Sequence, residues 1–222
     1  MPERSCCRFR QPPLILASSS PRRKEILGLL GLPFTVLVAE VDETPLAEEK
    51  PEAAARRVAT AKAAAVAKLV PEGLVLGADT VVVYRGQILG KPKDAAEAGA
   101  TLRKLRGRWH RVITGVHLVR APNGASYTAA VTTKVWMRHY ADAEIDAYVA
   151  SGEPFDKAGA YAIQSREFHP VERIEGCYLN VVGLPLCEVV KGLHRLHYPL
   201  PPDAVSHVER ECAAQRAAVW SR

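Results

Sequence analysis

The chain has 222 residues, 48% hydrophobic and 24% charged, an ordinary globular balance that excludes wholesale disorder. That length suits one well-buried domain, or two small lobes sharing a core. Thirty lysines and arginines against 24 acidic residues leave a net charge of +6, which suits an anionic partner without saying whether it is nucleic acid, a membrane surface or a phosphate ester.

Leu14–Ala17 reads as a short apolar strand, followed by a serine run, a proline and a helix over Arg22–Leu30; serine before proline is a helix-start signal. Phe34–Val38 reads as a second strand, and Pro51–Leu69 as a long helix entered through a proline. Leu74–Val83 is almost continuously apolar, the pattern of a strand buried on both faces. Arg85-Gly86-Gln87 turns the chain toward Ile88–Leu89, and Ala95–Leu105 is helical. Val112–Val119 and Tyr127–Met137 form strands joined through Asn123-Gly124, a turn signal. In the second, apolar residues alternate with Thr128, Thr132, Lys134 and Arg138, so one face is expected to be wet. Ala143–Val149 is predicted helical, Ala160–Ile163 a short strand and Leu184–Leu196 a helix. Pro199, Pro201 and Pro202 set off an appended helix carrying Val205, Val208, Cys212 and Val219, expected to be a mobile or oligomer-contacting appendage. Strands and helices with an evident hairpin predict an α/β domain on a mixed sheet. The division expected is 1–198 for that domain, with 1–12 a ragged start, and 199–222 for a helical extension.

No apolar run approaches the roughly 20 residues of a membrane helix, and the opening MPERSCCRFRQPP lacks an apolar core of signal-peptide length. The five cysteines (Cys6, Cys7, Cys177, Cys187 and Cys212) are odd in number and make no C-x-x-C pair. They argue against a zinc ribbon or disulfide scaffold and for a reducing cytoplasm. The seven histidines make no H-E-x-x-H pattern; His194 and His197 share a helix face and read as surface residues.

Three places break the apolar pattern. On the helix Pro51–Leu69, Val58, Val66 and Leu69 fall within one arc of about 80°. Lys62 lies inside that arc, where a lysine must either snorkel or meet an anion. Asp79 interrupts the most apolar run of the chain. A buried carboxylate there needs a cation, a metal or several donors, and Gly77-Ala78 leaves room for one to approach. Ser18-Ser19-Ser20-Pro21-Arg22-Arg23 joins strand to helix, where helix N–H groups, hydroxyls and two guanidinium groups suit a phosphate. No G-x-x-x-x-G-K-[ST], G-x-G-x-x-G or G-x-S-x-G is present, which excludes P-loop, Rossmann and nucleophile-elbow readings. Glu43 in VDETP, Lys91 in GKP, Asp156-Lys157 and Gln164 are weaker candidates that add carboxylates, cations and an amide.

These same segments resemble the Maf family of septum-formation-inhibitor-like nucleoside triphosphate pyrophosphatases, from Leu14 to about Leu196. The motifs are LASSSPRRKEIL, VDETP, Lys62 in ATAKAAA, LGADTVV, LGKP, ITGV, SGEPFDKAGAYAIQ and NVVGLPL. The resemblance implies hydrolysis of a nucleoside triphosphate to the monophosphate and pyrophosphate with a divalent cation, Mg²⁺ or Mn²⁺. It implies an elongated mixed sheet flanked by helices, with two lobes around a cleft as in inosine triphosphatases, and often a homodimer. Asp79 falls on the family's catalytic aspartate, a proton acceptor. Ser18, Arg22, Arg23, Glu43, Lys62, Lys91 and Gln164 fall on positions associated with substrate or metal. Arg22, Thr80 and Gln164 match the branch acting on dTTP and UTP, whereas the branch acting on 7-methyl-GTP has tryptophan, glutamine and glutamate there.

The chemistry suits these residues. A triphosphate and its pyrophosphate leaving group need cations such as Arg22, Arg23, Lys62, Lys91 and Lys157. A hard metal needs oxygen ligands, for which Glu43 and Asp79 are available. Asp79 suits either that role or deprotonation of the attacking water, and the residue pattern leaves both open. Gln164 carries both donor and acceptor for a pyrimidine edge. The expected catalytic set is Asp79, Glu43 and Lys62. The rival readings are a 7-methyl-GTP or broad pyrophosphatase, and a non-catalytic division regulator binding nucleotide or nucleic acid. No specific nucleic-acid partner is expected.

Overall fold

The computed structural model describes residues 11–220, of 211 and 215–220 the backbone alone. Most of the ragged start expected for residues 1–12 therefore lies outside the described residues, as does the side chain of Val219. In chain order the elements are β1 (Leu14–Leu16), α1 (Pro21–Gly28), β2 (Phe34–Val36), α2 (Pro51–Ala67), β3 (Leu74–Tyr84), β4 (Gln87–Leu89), α3 (Ala95–Leu105), β5 (Trp109–Arg120), β6 (Ser126–Met137), α4 (Asp142–Ala150), β7 (Val171–Glu175), α5 (Tyr178–Val182), α6 (Leu186–Arg195) and α7 (Ala204–Trp220). Together they make an α/β fold on one mixed seven-stranded sheet, ordered β2-β1-β3-β5-β6-β7, with β4 on β3. β1 runs parallel to β2 and β3, and the other pairings are antiparallel.

The long strands follow from composition. β3 and β5 are almost wholly buried because helices and loops cover both faces, while β6 leaves Thr128, Thr132 and Lys134 exposed as its alternation predicts. The largest core cluster packs Leu16, Leu76, Leu118, Val135, Ile145 and Leu193 with their neighbours. No helix among the described residues is long and apolar enough to cross a membrane.

Two glycines set how closely α2 approaches the sheet. A Cβ on Gly77 would overlap the Ala59 carbonyl oxygen, and one on Gly115 would overlap that of Ala55. Gly115 is the cross-strand partner of Asp79, two residues beyond Gly77 on the same face. The helix thus rests against bare backbone beside Asp79.

The edge of β3 is interrupted. β1 pairs with Leu74–Leu76 and β4 with Val82–Tyr84, so among the described residues no strand covers the stretch between them. Asp79 and Thr80, which point to opposite faces, both border this gap.

Several expectations need correction. Ala160–Ile163 is not a strand; two short 3₁₀ turns, Glu153–Asp156 and Ala158–Ala160, occupy this region, with Gly159 and Ala160 at positive φ. β7 was not expected, because VERIE offers only Val171 and Ile174 to the interior. The predicted helix Leu184–Leu196 begins at Leu186, and a separate turn of helix, α5, precedes it. Leu69 lies past the end of α2 and is 62% exposed, so it is no part of the packed arc. His110 and His117 are buried, whereas His194 and His197 are exposed as expected. The appended helix exists as α7, but Val205 is exposed and Val208 is buried against the chain's own core.

Candidate active site

α1 begins where β1 ends. Ser20 caps it, its hydroxyl accepting the Arg23 N–H, and Pro21 takes the first helical position, where a missing N–H costs nothing. Ser18 accepts the Ser20 N–H at 3.3 Å. This turn forms one wall of a cavity of about 380 Å³ at the gap in the β3 edge. All ten predicted residues line it: Ser18, Arg22, Arg23, Glu43, Lys62, Asp79, Thr80, Lys91, Lys157 and Gln164.

Lys62 reaches the cavity from the face of α2 that otherwise packs Val58, Ala59, Ala63 and Val66. Its Nζ donates to Asp79 Oδ1 at 2.9 Å and lies 2.9 Å from Glu43 Oε1. Lys62 and Asp79 side chains are each 13% exposed, Glu43 59%. A lysine held between two carboxylates is not snorkelling. The anion it meets is the one the interrupted strand demands.

On the opposite face of β3, Arg23 spreads its guanidinium over three acceptors. Nε donates to the Gly183 carbonyl at 3.0 Å, one terminal nitrogen to Ser18 Oγ at 3.2 Å and the other to Thr80 Oγ1 at 3.1 Å. Burial pulls the Arg23 pKa below its ordinary value, while Asp79 and then Glu43 act in the other direction. Thr80 is in turn tied to Thr114 at 2.9 Å, and Thr114 donates to the Asn180 carbonyl at 3.1 Å. Because Thr114 gives its proton to Asn180, it accepts that of Thr80, which leaves Thr80 as acceptor for Arg23. Thr114 and Asn180 are fully buried and were not singled out from the sequence. The signal was there in Val112-Ile113-Thr114, a hydroxyl inside an apolar run.

The third group comes from the turns after α4. Arg22 pairs with Asp156 at 2.9 Å, and Lys157 Nζ donates to Asp156 and to the Glu153 carbonyl, both at 2.6 Å. Partial burial raises the Asp156 pKa, but its hydrogen bonds from Lys157 and Arg22 outweigh this and lower it overall. Asp156 thus holds in place two cations expected to face a phosphate. Lys91 and Gln164 are exposed residues of the same cavity, and Val82, Val112, Ile163 and Val182 give it apolar lining.

Among the described residues no three or more histidine, cysteine, aspartate or glutamate side chains form a metal-binding group. The donor set fits a hard cation of another kind. Glu43 and Asp79 contact one Nζ, so their oxygens lie within twice that contact distance of each other. Mg²⁺ characteristically takes one or two carboxylates and completes its shell with phosphate oxygens and water.

Residues 13–196 match the family described as Maf-like protein. The chain is 50% identical to the dTTP/UTP pyrophosphatase of Thermomicrobium roseum over 214 residues, 94% of this chain and 97% of that protein. That coverage exceeds 13–196, so the similarity to this relative runs into the terminal segments. It is 50% identical to the dTTP/UTP pyrophosphatase of Geobacter sp. strain M21 over 180 residues (81% and 93%). It is 51% identical to that of Moorella thermoacetica over 176 residues (79% and 91%). With the family match spanning most of its length and such relatives covered almost end to end, the chain belongs to the Maf-like protein family.

Proposed function

We propose that this protein hydrolyses dTTP and UTP to the monophosphate and pyrophosphate; its relatives are named dTTP/UTP pyrophosphatases. The observation that carries the reading is Lys62 held between Asp79 and Glu43 in a cavity that Arg22, Arg23, Lys91 and Lys157 also line. In the reaction a water oxygen bonds to the α-phosphorus as the bond to the β-phosphate oxygen breaks. Lys62 engages Asp79 at Oδ1, which leaves Oδ2 to orient the water and take its proton. The cations offset the charge that gathers on the departing pyrophosphate. Ser18 and the N–H groups of the α1 turn receive phosphate oxygens. A divalent cation, Mg²⁺ or Mn²⁺, would be held by Glu43 and Asp79 together with the triphosphate, and would supply further charge neutralisation.

Arg22, Thr80 and Gln164 select the pyrimidine, Gln164 through its amide. Thr80 is the best anchored of the three, since Thr114 and Arg23 fix its hydroxyl. The catalytic unit spans 1–198, with 199–222 an extension, and the protein acts in the cytoplasm as a homodimer, a state that sedimentation measures. Pyrophosphate release from dTTP, UTP, CTP, ITP and 7-methyl-GTP, with and without Mg²⁺, tests the proposal. Preference for dTTP and UTP supports it. Preference for 7-methyl-GTP would move it to the other branch, and release from none, with salt-sensitive DNA binding, would favour a non-catalytic regulator.

A further inference from the structure

Glu43 reaches the cavity from an irregular segment. Between β2 and α2 the chain carries no helix or strand, and Asp42 through Glu48 are exposed. Holding such an arch in one place costs conformational entropy that contacts must offset. From residue 38 to residue 50, the side-chain hydrogen bonds and ion pairs to the rest of the protein come, among the described residues, from two residues of α2, Lys62 and Arg57.

The Lys62 tie is the weaker one. Glu43 is 59% exposed, and a pair so open to water holds little. The same ammonium is bonded to Asp79 and faces the cavity, where a triphosphate competes for it. Arg57 is placed differently, since it does not line the cavity. Its Nε donates to both carboxylate oxygens of Glu49, at 2.9 and 3.2 Å, and one terminal nitrogen donates to Glu49 Oε2 at 2.9 Å. That nitrogen also donates to the Thr44 carbonyl, at 2.9 Å. Thr44 is the residue after Glu43, and its own N–H is held by Asp42 Oδ1 at 2.9 Å. Glu49 Oε2 in turn accepts the Leu46 N–H at 3.3 Å. The Glu49 side chain is only 12% exposed, although the seven residues before it are exposed. One planar guanidinium therefore grips the arch at two points six residues apart or fewer, a geometry an ammonium does not reproduce.

We propose that Arg57 is a positioning residue for hydrolysis, which through Glu49 and the Thr44 carbonyl holds Glu43 over the cavity while Lys62 turns to the substrate.

This rests on the reading that Glu43 acts in the reaction. Arg56 supplies the comparison: it is the neighbouring arginine on α2, is exposed, and enters no salt bridge among the described residues. The test measures kcat/KM for dTTP in the full chain with Arg57→Ala, Glu43→Gln, both together, and Arg56→Ala. Arg57→Ala is expected to lower kcat/KM about 10- to 100-fold, as loss of orientation does, and Arg56→Ala to leave it within about twofold. In the Glu43→Gln background Arg57→Ala is expected to cost nothing further, because its effect passes through Glu43. A Glu-specific protease should also cut the arch faster in Arg57→Ala than in Arg56→Ala. Glu49→Gln, which weakens the same grip without removing the arginine, is expected to show the same dependence on Glu43 and serves if Arg57→Ala does not fold. An equal loss in both backgrounds would make Arg57 a general structural residue and overturn the proposal. So would full activity in Arg57→Ala beside an impaired Glu43→Gln. Full activity in Glu43→Gln would instead remove Glu43 from the reaction, and the proposal with it.

Discussion

A charged pair on an apolar surface is a costly thing to fold, and Lys62 with Asp79 survives because each is the other's partner and Glu43 is a second one for the lysine. Asp79→Asn keeps the shape and removes the charge. Its expected outcome is a fall in kcat of about 10²–10⁴-fold, the range a positioned base contributes, with dTTP affinity by calorimetry little changed. Full activity would remove Asp79 from the mechanism. Lys62→Ala leaves Asp79 short of a partner and is expected to cost about 1–3 kcal/mol of stability by denaturant unfolding. It should also raise the KM for the triphosphate. Unchanged kinetics with only a lowered melting temperature would make Lys62 a structural ion pair. Both residues were legible in the sequence, since each violates the pattern of its element. Thr114 was as visible by the same test, but what it touches was not: Asn180 lies 66 positions away.

Elements carry the site by their spacing. α2 sits close to β3 and β5 because Gly77 and Gly115 present no side chain to it. Gly115→Ala would press a methyl into the Ala55 carbonyl and lift α2, costing about 1–3 kcal/mol as overpacking does. Because Lys62 rides on that helix, activity should fall along with the melting temperature, and by more than in a destabilised variant remote from the site. Thr114→Val tests the other face. It removes the hydroxyl that fixes Thr80 and the donor to Asn180, so discrimination between UTP and CTP is expected to weaken while Asp79 and Lys62 stay paired. A panel of kcat/KM values reads that loss directly. The elements themselves were read well where composition is one-sided, as in β3, α2 and the β5–β6 hairpin. They were misread where it is mixed: β7 is held by its pairing with β6, which local pattern does not contain.

Across the whole molecule, acid stability has an identifiable contributor. His110 is 1% exposed, its Nε2 bonded to the Tyr161 hydroxyl at 2.7 Å, and burial lowers its pKa to about 3. The unfolded chain, with an ordinary histidine pKa of about 6.5, binds a proton below that pH while the folded chain does not. Unfolding then takes up a proton, so stability falls as pH drops from about 6.5 toward 3 and is fully present above. His110→Gln is expected to flatten this part of the profile of melting temperature against pH, relative to the unaltered protein. Equal slopes in the two would exclude His110 as the source.

The sequence by itself determined the α/β class, the serine-capped start of α1 and the residues that need explanation, because burial and helix or strand periodicity act locally and leave local marks. Only the tertiary structure decided which of these residues share a cavity, and that the cavity opens at a gap between β1 and β4 along the β3 edge. It alone paired Arg22 with Asp156 and aligned Thr80, Thr114 and Asn180 behind Arg23. The physical reason is common to all of these. Contacts between residues distant in sequence depend on strand order, register and helix approach, and those are set by the packing of the entire chain rather than by any one segment.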